Sequence, residues 1–108
     1  MTKAKDEYPN FILDKLNGLG DIHIRAMFGG YGIFHEGLMF ALISDDVLYF
    51  KVDDTNREIY EKAGSSKFPH GISYWEVPTD VLEDTSKLYE WAEISIAIAQ
   101  AKAKKKRR

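Results

Sequence analysis

Three glycines in four positions, Gly29-Gly30-Tyr31-Gly32, are the first residues whose type and spacing suggest chemistry, because glycine-rich turns can cradle phosphate with bare backbone N–H groups. The details argue against it. A dinucleotide fingerprint needs a third glycine where His35 stands, a phosphate loop needs a Lys-Ser/Thr pair, and both need a helix where this sequence continues as a strand. Arg25, just before the turn, can clamp a carboxylate or carbonyl through its planar fork, although an internal salt bridge or backbone clamp is the preferred reading. The pairs Asp45-Asp46 and Asp53-Asp54 fall where a turn and a helix start are expected, and Asp serves local backbone hydrogen bonds there. His23, His35 and His70 lack the short spacing of metal sites, and the absence of cysteine excludes disulfides, thiolate nucleophiles and Cys-type zinc. No serine sits in a nucleophile elbow. The expectation is no catalytic residue, no metal and no cofactor.

The glycines therefore point to shape: a bent β-ribbon whose backbone adopts φ values closed to other residues or comes close to another backbone. Around it, Tyr8, Phe11, Ile12, Leu16 and Leu19 repeat at helical spacing, which predicts a helix over about 7–18 with Asp6 as cap and Pro9 in its first turn. The period then drops to two. Ile22, Ile24, Ala26 and Phe28 alternate with Asp21, His23, Arg25 and Met27, Tyr31 to His35 forms a second strand, and Glu36-Gly37 a tight connection into Leu38 to Ile43. Ser44-Asp45-Asp46 turns the chain into Val47 to Val52, completing a four-stranded meander. Residues 38–43 are apolar on both sides, with Leu38, Phe40 and Leu42 on one and Met39, Ala41 and Ile43 on the other. Either helices cover both faces or a second subunit covers one; with three main helices predicted, the second subunit is favoured.

Thr55 with Glu58 suggests a capping box for a short helix over about 56–63, stopped by Gly64. Ile72 to Val77 reads as a fifth strand ended by Pro78, followed by a single helical turn at Asp80. Asp84 then caps a long helix carrying Leu88, Trp91, Ala92, Ser95, Ile98 and Ala99, expected to fray into the tail. The fold class is α+β in two layers: a curved antiparallel sheet of about five strands with N-terminal, middle and long C-terminal helices. At 108 residues one domain spanning 1–108 is expected, frayed over 1–5 and ending in a basic tail over 102–108.

The composition, 44% hydrophobic and 30% charged, is that of a globular protein, with no apolar run able to span a bilayer and no leader pattern, so a cytoplasmic location is expected. The net charge of −2 is unevenly spread: residues 1–101 hold 9 basic and 17 acidic side chains, whereas 102–108 hold Lys102, Lys104, Lys105, Lys106, Arg107 and Arg108 and no acid. Without interleaved aromatics such a tail gives only weak, sequence-independent contact with nucleic-acid phosphates, and a solvated helix end is its plainer reading.

Five segments taken together resemble the N-terminal domain of the TfoX/Sxy family, bacterial regulators of competence gene expression. They are Arg25-Ala26-Met27-Phe28-Gly29-Gly30-Tyr31-Gly32-Ile33, residues 37–43, residues 48–53, Ser73-Tyr74-Trp75-Glu76-Val77-Pro78 and Leu88-Tyr89-Glu90-Trp91-Ala92. The resemblance implies an α+β fold with a secretion-chaperone-like arrangement and supplies no catalytic residues. It also implies that full-length regulators carry a second, helical-hairpin domain, for which 108 residues leave no room, and that they act at promoters with the cyclic-AMP receptor protein. The function expected is a non-enzymatic interaction domain, homodimeric, taking part in transcription regulation through contacts with a transcription factor. Arg25, Met27, Phe28, Gly29, Gly30, Tyr31 and Gly32 would shape its recognition element. The alternative is a small-ligand-binding or enzymatic domain with a cleft near Arg25, His35 and the glycine turn.

Overall fold

The computed structural model describes residues 3–27, 29–69 and 71–106. Helix α1 (Lys3–Leu16) leads through a 3₁₀ turn (Asn17–Leu19) into strands β1 (Ile22–Met27), β2 (Gly30–His35), β3 (Leu38–Ser44) and β4 (Val47–Lys51). Helix α2 (Arg57–Lys62), strand β5 (Tyr74–Glu76), the single turn α3 (Thr79–Leu82) and the long α4 (Thr85–Lys106) follow. The strands form one open antiparallel sheet in the order β1-β2-β3-β4-β5, so the chain is α+β with sequential neighbours paired throughout.

Turn chemistry explains the meander. Glu36 and Gly37 both take positive φ (49° and 85°), as do Asp45 and Asp46 (53° and 60°), the conformation that matches a two-residue connection to the twist of the strands. Gly64 closes α2 at φ 74°, and Asp84 caps α4, its carboxylate accepting the Lys87 N–H at 3.2 Å and its carbonyl the Leu88 N–H at 2.8 Å.

Three local expectations change. Helix α1 begins at Lys3, so Asp6 does not cap it and Pro9 lies inside, where its ring nitrogen has no proton to donate. The capping box does not form: Asn56 occupies the cap position of α2, while Thr55 donates its N–H (2.8 Å) and hydroxyl (2.6 Å) to Asp53 Oδ1. The buried Asn56 folds backward instead, accepting the Asp53 N–H at 2.8 Å and donating to the Lys51 carbonyl at 3.3 Å. And α4 stays helical to Lys106, carrying part of the basic tail with it.

The sheet register decides which side chains are inside. Ile24 pairs with Ile33, Ile33 with Ala41, Ala41 with Phe50 and Phe50 with Trp75, so these share one face, and all but the half-buried Ile24 are buried in the core with Ile12, Leu16, Leu88, Ala92 and Ile96 of the helices. Between β2 and β3 the register slips: Phe34 pairs with Met39 but Ile33 with Ala41, leaving Phe40 as the extra residue of a bulge. The bulge sends Phe40 to the same side as Ala41, where it is fully buried with its ring centroid 6.0 Å from that of Phe50. Strict alternation therefore fails: Leu38, Phe40, Ala41 and Ile43 face the helices, and Met39 and Leu42 face away. Each buried phenylalanine contributes about 1.5–3 kcal/mol.

Helix α4 crosses this face over β3 and β4. Its buried Ser95 donates to the Lys51 carbonyl at 2.7 Å, and its Trp91 ring lies 4.6 Å from that of Tyr60, which also meets Trp75 at 6.3 Å. At its start the Tyr89 hydroxyl accepts the Gly18 N–H at 2.7 Å, tying α4 to the end of α1.

Candidate functional site

The ribbon singled out by the sequence is the β1–β2 hairpin, and each of its glycines has its own reason. Gly29 takes φ 78° in the turn. Gly30 lies against β3, where a Cβ would overlap the Ile43 carbonyl oxygen with the carbonyl carbon 3.3 Å away. Gly32 lies under side chains: a Cβ there would come within 2.5 Å of Met27 Sδ and 3.1 Å of both Met39 Sδ and Phe34 Cε1. Two of the three serve close approach and one serves conformation.

Pairing sets the direction of the remaining motif residues. Arg25 faces Gly32 and Met27 faces Gly30 across the ladder, so these four share the face away from the helices. Tyr31 pairs with Ala26 and Ile43 and packs toward the core. Phe28 lies outside the described residues. The guanidinium of Arg25 sits 5.3 Å from the centroid of Phe34, a cation–π contact and a third arrangement beside the ion pair and the ligand clamp that the sequence suggested.

The helix-free face carries a groove of about 400 Å³ lined by Met27, Gly30, Leu42, Ser44, Phe68 and Ile72 among others. Leu42 is buried there without a helix above it. Part of its cover comes from the connection before β5, which brings Phe68 edge-on to Tyr49 with ring centroids 5.0 Å apart and leaves Ile72 44% exposed at the rim. Together with the bulge, this connection supplies cover that the sequence assigned to a second subunit. Phe68 and Ile72 were missed as site residues; the available signal was a large aromatic beside Pro69 and Gly71 in a loop where polar residues are the norm.

A cleft does lie at the glycine turn, lined by Met27, Gly29, Gly30, Tyr31, Asp45 and Asp46, but Arg25 and His35 do not meet in it. His35 pairs with Ile22 and Leu38 on the helix side, with its Nε2 3.2 Å from the Leu19 carbonyl, whereas Arg25 points from the opposite face. Nor does Arg25 line the groove. No group of three His, Asp or Glu able to hold a metal gathers among the described residues. The ion pairs found there are local: Asp21 with His23, Asp54 with Arg57 and Glu58 with Lys62.

At the other end of the sheet, Lys51, Tyr74, Ile98 and Lys102 border a second groove. Lys51 Nζ lies 5.0 Å over the Tyr74 ring, and its pKa is lowered first by burial and then by Lys102, with Asp53 opposing. Lys102, Lys104 and Lys105 are exposed on the last turns of α4, and Lys106 ends that helix; Arg107 and Arg108 lie outside the described residues. Burial raises the Tyr74 phenol to about 12 and pushes Tyr60 higher still, where the Ser95 hydroxyl acts in the opposite direction.

None of these arrangements assembles a nucleophile, base and oxyanion donor, and the groove beside the glycine turn presents thioether, aliphatic and aromatic surface suited to contact. No helix among the described residues is long and apolar enough to cross a membrane. The sequence matches the TfoX N-terminal domain over residues 14–99. It is 30% identical over 90 residues to the DNA transformation protein TfoX1 of Aliivibrio fischeri (strain ATCC 700601 / ES114), an alignment covering 83% of this chain and 41% of that protein. The chain thus spans about two fifths of the relative it matches, and it belongs to the TfoX N-terminal domain family.

Proposed function

We propose that this chain is a non-enzymatic interaction domain in competence-related gene regulation, working in the cytoplasm through contacts with a transcription factor. The observation that carries the reading is the pairing of family membership with an apolar groove on the helix-free face, lined in part by Met27, Gly30 and Tyr31 of the glycine ribbon. Met27, Leu42, Phe68 and Ile72 offer a slot for an apolar side chain of the partner protein, and the surrounding backbone is fixed by Gly30 and Gly32. The relative is named a DNA transformation protein as a whole, and extending a competence-related role to this chain rests on the matched domain.

The test is transcription of competence genes in cells deleted for this gene and complemented with the wild type or with Ile72→Asp. Ile72 is exposed, so the substitution leaves the core intact while placing a charge at the groove. Restoration by the wild type alone supports the reading; equal restoration by both removes the groove from it.

The basic end of α4 adds weak, sequence-independent contact with DNA. Six phosphates engaged by Lys102, Lys104, Lys105, Lys106, Arg107 and Arg108 give a log–log salt slope of about −5. Fluorescence anisotropy with duplex DNA reads that slope, and equal binding by a chain lacking 102–108 would exclude the tail. A second reading, a small apolar ligand in the groove of about 400 Å³, is favoured by its size and lining. A thermal-shift screen that finds a ligand lost on Met27→Asp would select it. The chain is also proposed to act as a homodimer.

A further inference from the structure

The two edges of the sheet are treated differently. Outside β5, Lys67 bridges Trp75, the Phe68 N–H donates to the Tyr74 carbonyl at 2.7 Å and the Glu76 N–H to the Ser66 carbonyl at 2.9 Å, so that edge is occupied by the chain itself. β1 has no such cover among the described residues. The phase of its ladder follows from one bond: the Asp21 carbonyl accepts the Glu36 N–H at 3.1 Å, so Asp21 aims its backbone groups toward β2. In an antiparallel ladder every second residue does the same, which assigns His23, Arg25 and Met27 to the inner side. Ile22, Ile24 and Ala26 turn their N–H and C=O groups outward, and no backbone partner for them occurs among the described residues.

An open edge of this kind is normally blunted by proline, by charged side chains and lysine above all, by a bulge or by extreme shortness. β1 has six residues, Ile-His-Ile-Arg-Ala-Met, with neither proline nor lysine, and it pairs with β2 in unbroken register. Its charges have a further property. Asp21 and Arg25 lie symmetrically about His23, on the face away from the helices, with the Asp21 and His23 side chains 56% and 67% exposed.

We propose that β1 pairs antiparallel with β1 of a second copy about a two-fold axis at His23, joining the two sheets into one. The inference rests on the homodimer reading and deepens it. A two-fold interface needs a self-complementary patch, and this register supplies one. Ile22 faces the partner's Ile24 as a hydrogen-bonded pair that exchanges both of its outward groups, and the symmetric pair does the same. Asp21 then stands directly opposite the partner's Arg25, in a position without backbone bonds where side chains come closest. The neighbouring register centred on Ile24 satisfies the backbone equally well, but it sets Arg25 against the partner's His23 and leaves Asp21 opposite the partner's Met27. Charge selects the register centred on His23.

Sedimentation velocity on the full chain at about 100 µM tests this, since strand pairing over a few residues forms a weak interface. The wild type should dimerise, and Asp21→Lys and Arg25→Glu should each weaken the dimer by about tenfold or more, because symmetry reverses two charge pairs at once. An equimolar mixture of the two variants should regain the dimer, each introduced charge meeting its opposite on the other chain. Exchange of the Ile22 and Ile24 amides should slow with rising protein concentration, and circular dichroism reports whether each variant is folded. A monomeric wild type overturns the homodimer reading and the edge pairing together. A dimer unaffected by both variants leaves the homodimer standing and overturns the edge, and a mixture that fails to recover overturns the register.

Discussion

Replacing Gly30 by alanine should cost about 3 kcal/mol, nearly all of it from one contact. The added Cβ would overlap the carbonyl oxygen of Ile43 and approach the carbonyl carbon to 3.3 Å and Ser44 Cα to 3.4 Å, all of them backbone atoms of β3. Backbone cannot swing aside as a side chain can, so the overpacking cost lies near the top of its range, about 3 kcal/mol. Displacing the strand there also weakens the ladder where Tyr31 meets Ile43, about 1 kcal/mol. Against this stands the gain from replacing glycine within a strand, about 0.5–1 kcal/mol. Gly32→Ala is the internal control. Its obstacles are chiefly the flexible ends of Met27 and Met39, which can rotate away, so its net cost should be below about 1 kcal/mol. For a domain of this size the two variants should lower Tm by about 12 °C and less than about 4 °C. Urea titrations followed by tryptophan fluorescence and circular dichroism would measure both. Equal stability of Gly30→Ala and wild type, or a larger loss for Gly32→Ala, would refute the close-approach account of the ribbon.

Other expectations follow from the same geometry. Asp46→Gly relieves a positive φ of 60° and should stabilise the protein by about 0.5–1 kcal/mol in the same titration. Tyr60→Phe removes a buried hydroxyl whose polar neighbour, the Ser95 hydroxyl, gives its proton to the Lys51 carbonyl instead, and should leave stability unchanged or raise it by up to about 1 kcal/mol, whereas Ser95→Ala, which breaks the bond to the Lys51 carbonyl, should lower it by about 1 kcal/mol. Both buried phenols have raised folded-state pKa values, so their contribution is complete below pH about 10 and is lost as the pH climbs through the folded value, about 12 for Tyr74. Urea midpoints should therefore fall as the pH rises from about 10 to about 12, and Tyr60→Phe should flatten that fall; a midpoint independent of pH over this range would contradict it. Arg25→Ala should cost about 0.5–1 kcal/mol through loss of the contact with Phe34 and leave the fold intact.

Much of the fold was legible because local signals agreed with the tertiary outcome. Glu36-Gly37 and Asp45-Asp46 marked their turns, Gly64 stopped α2 and Asp84 started α4, each through chemistry confined to a few neighbouring residues. What escaped was decided by distant partners. Nothing in Leu38-Met39-Phe40-Ala41-Leu42-Ile43 distinguishes a regular strand from a bulged one, since every residue is apolar; the bulge exists because it delivers Phe40 into the core beside Phe50. Thr55 and Glu58 formed a valid capping pattern that lost to Asn56, whose burial requires it to satisfy Asp53 and Lys51. In the ribbon, the conformational and close-approach roles of its glycines could be read in advance. Phe68 and Ile72 could not be placed, because the connection that lays them over Leu42 has no period of its own. Arg25 was expected to form a salt bridge or a backbone clamp, and Phe34, two strand positions beyond its cross-strand partner Gly32, was within its reach.

The most direct test of the central claim, an apolar contact domain of the TfoX type acting in competence-related regulation, is the transcript level of competence genes in cells deleted for this gene. The account predicts a loss on deletion that the wild type restores and folded Ile72→Asp does not. Transcript levels unchanged by the deletion would contradict it.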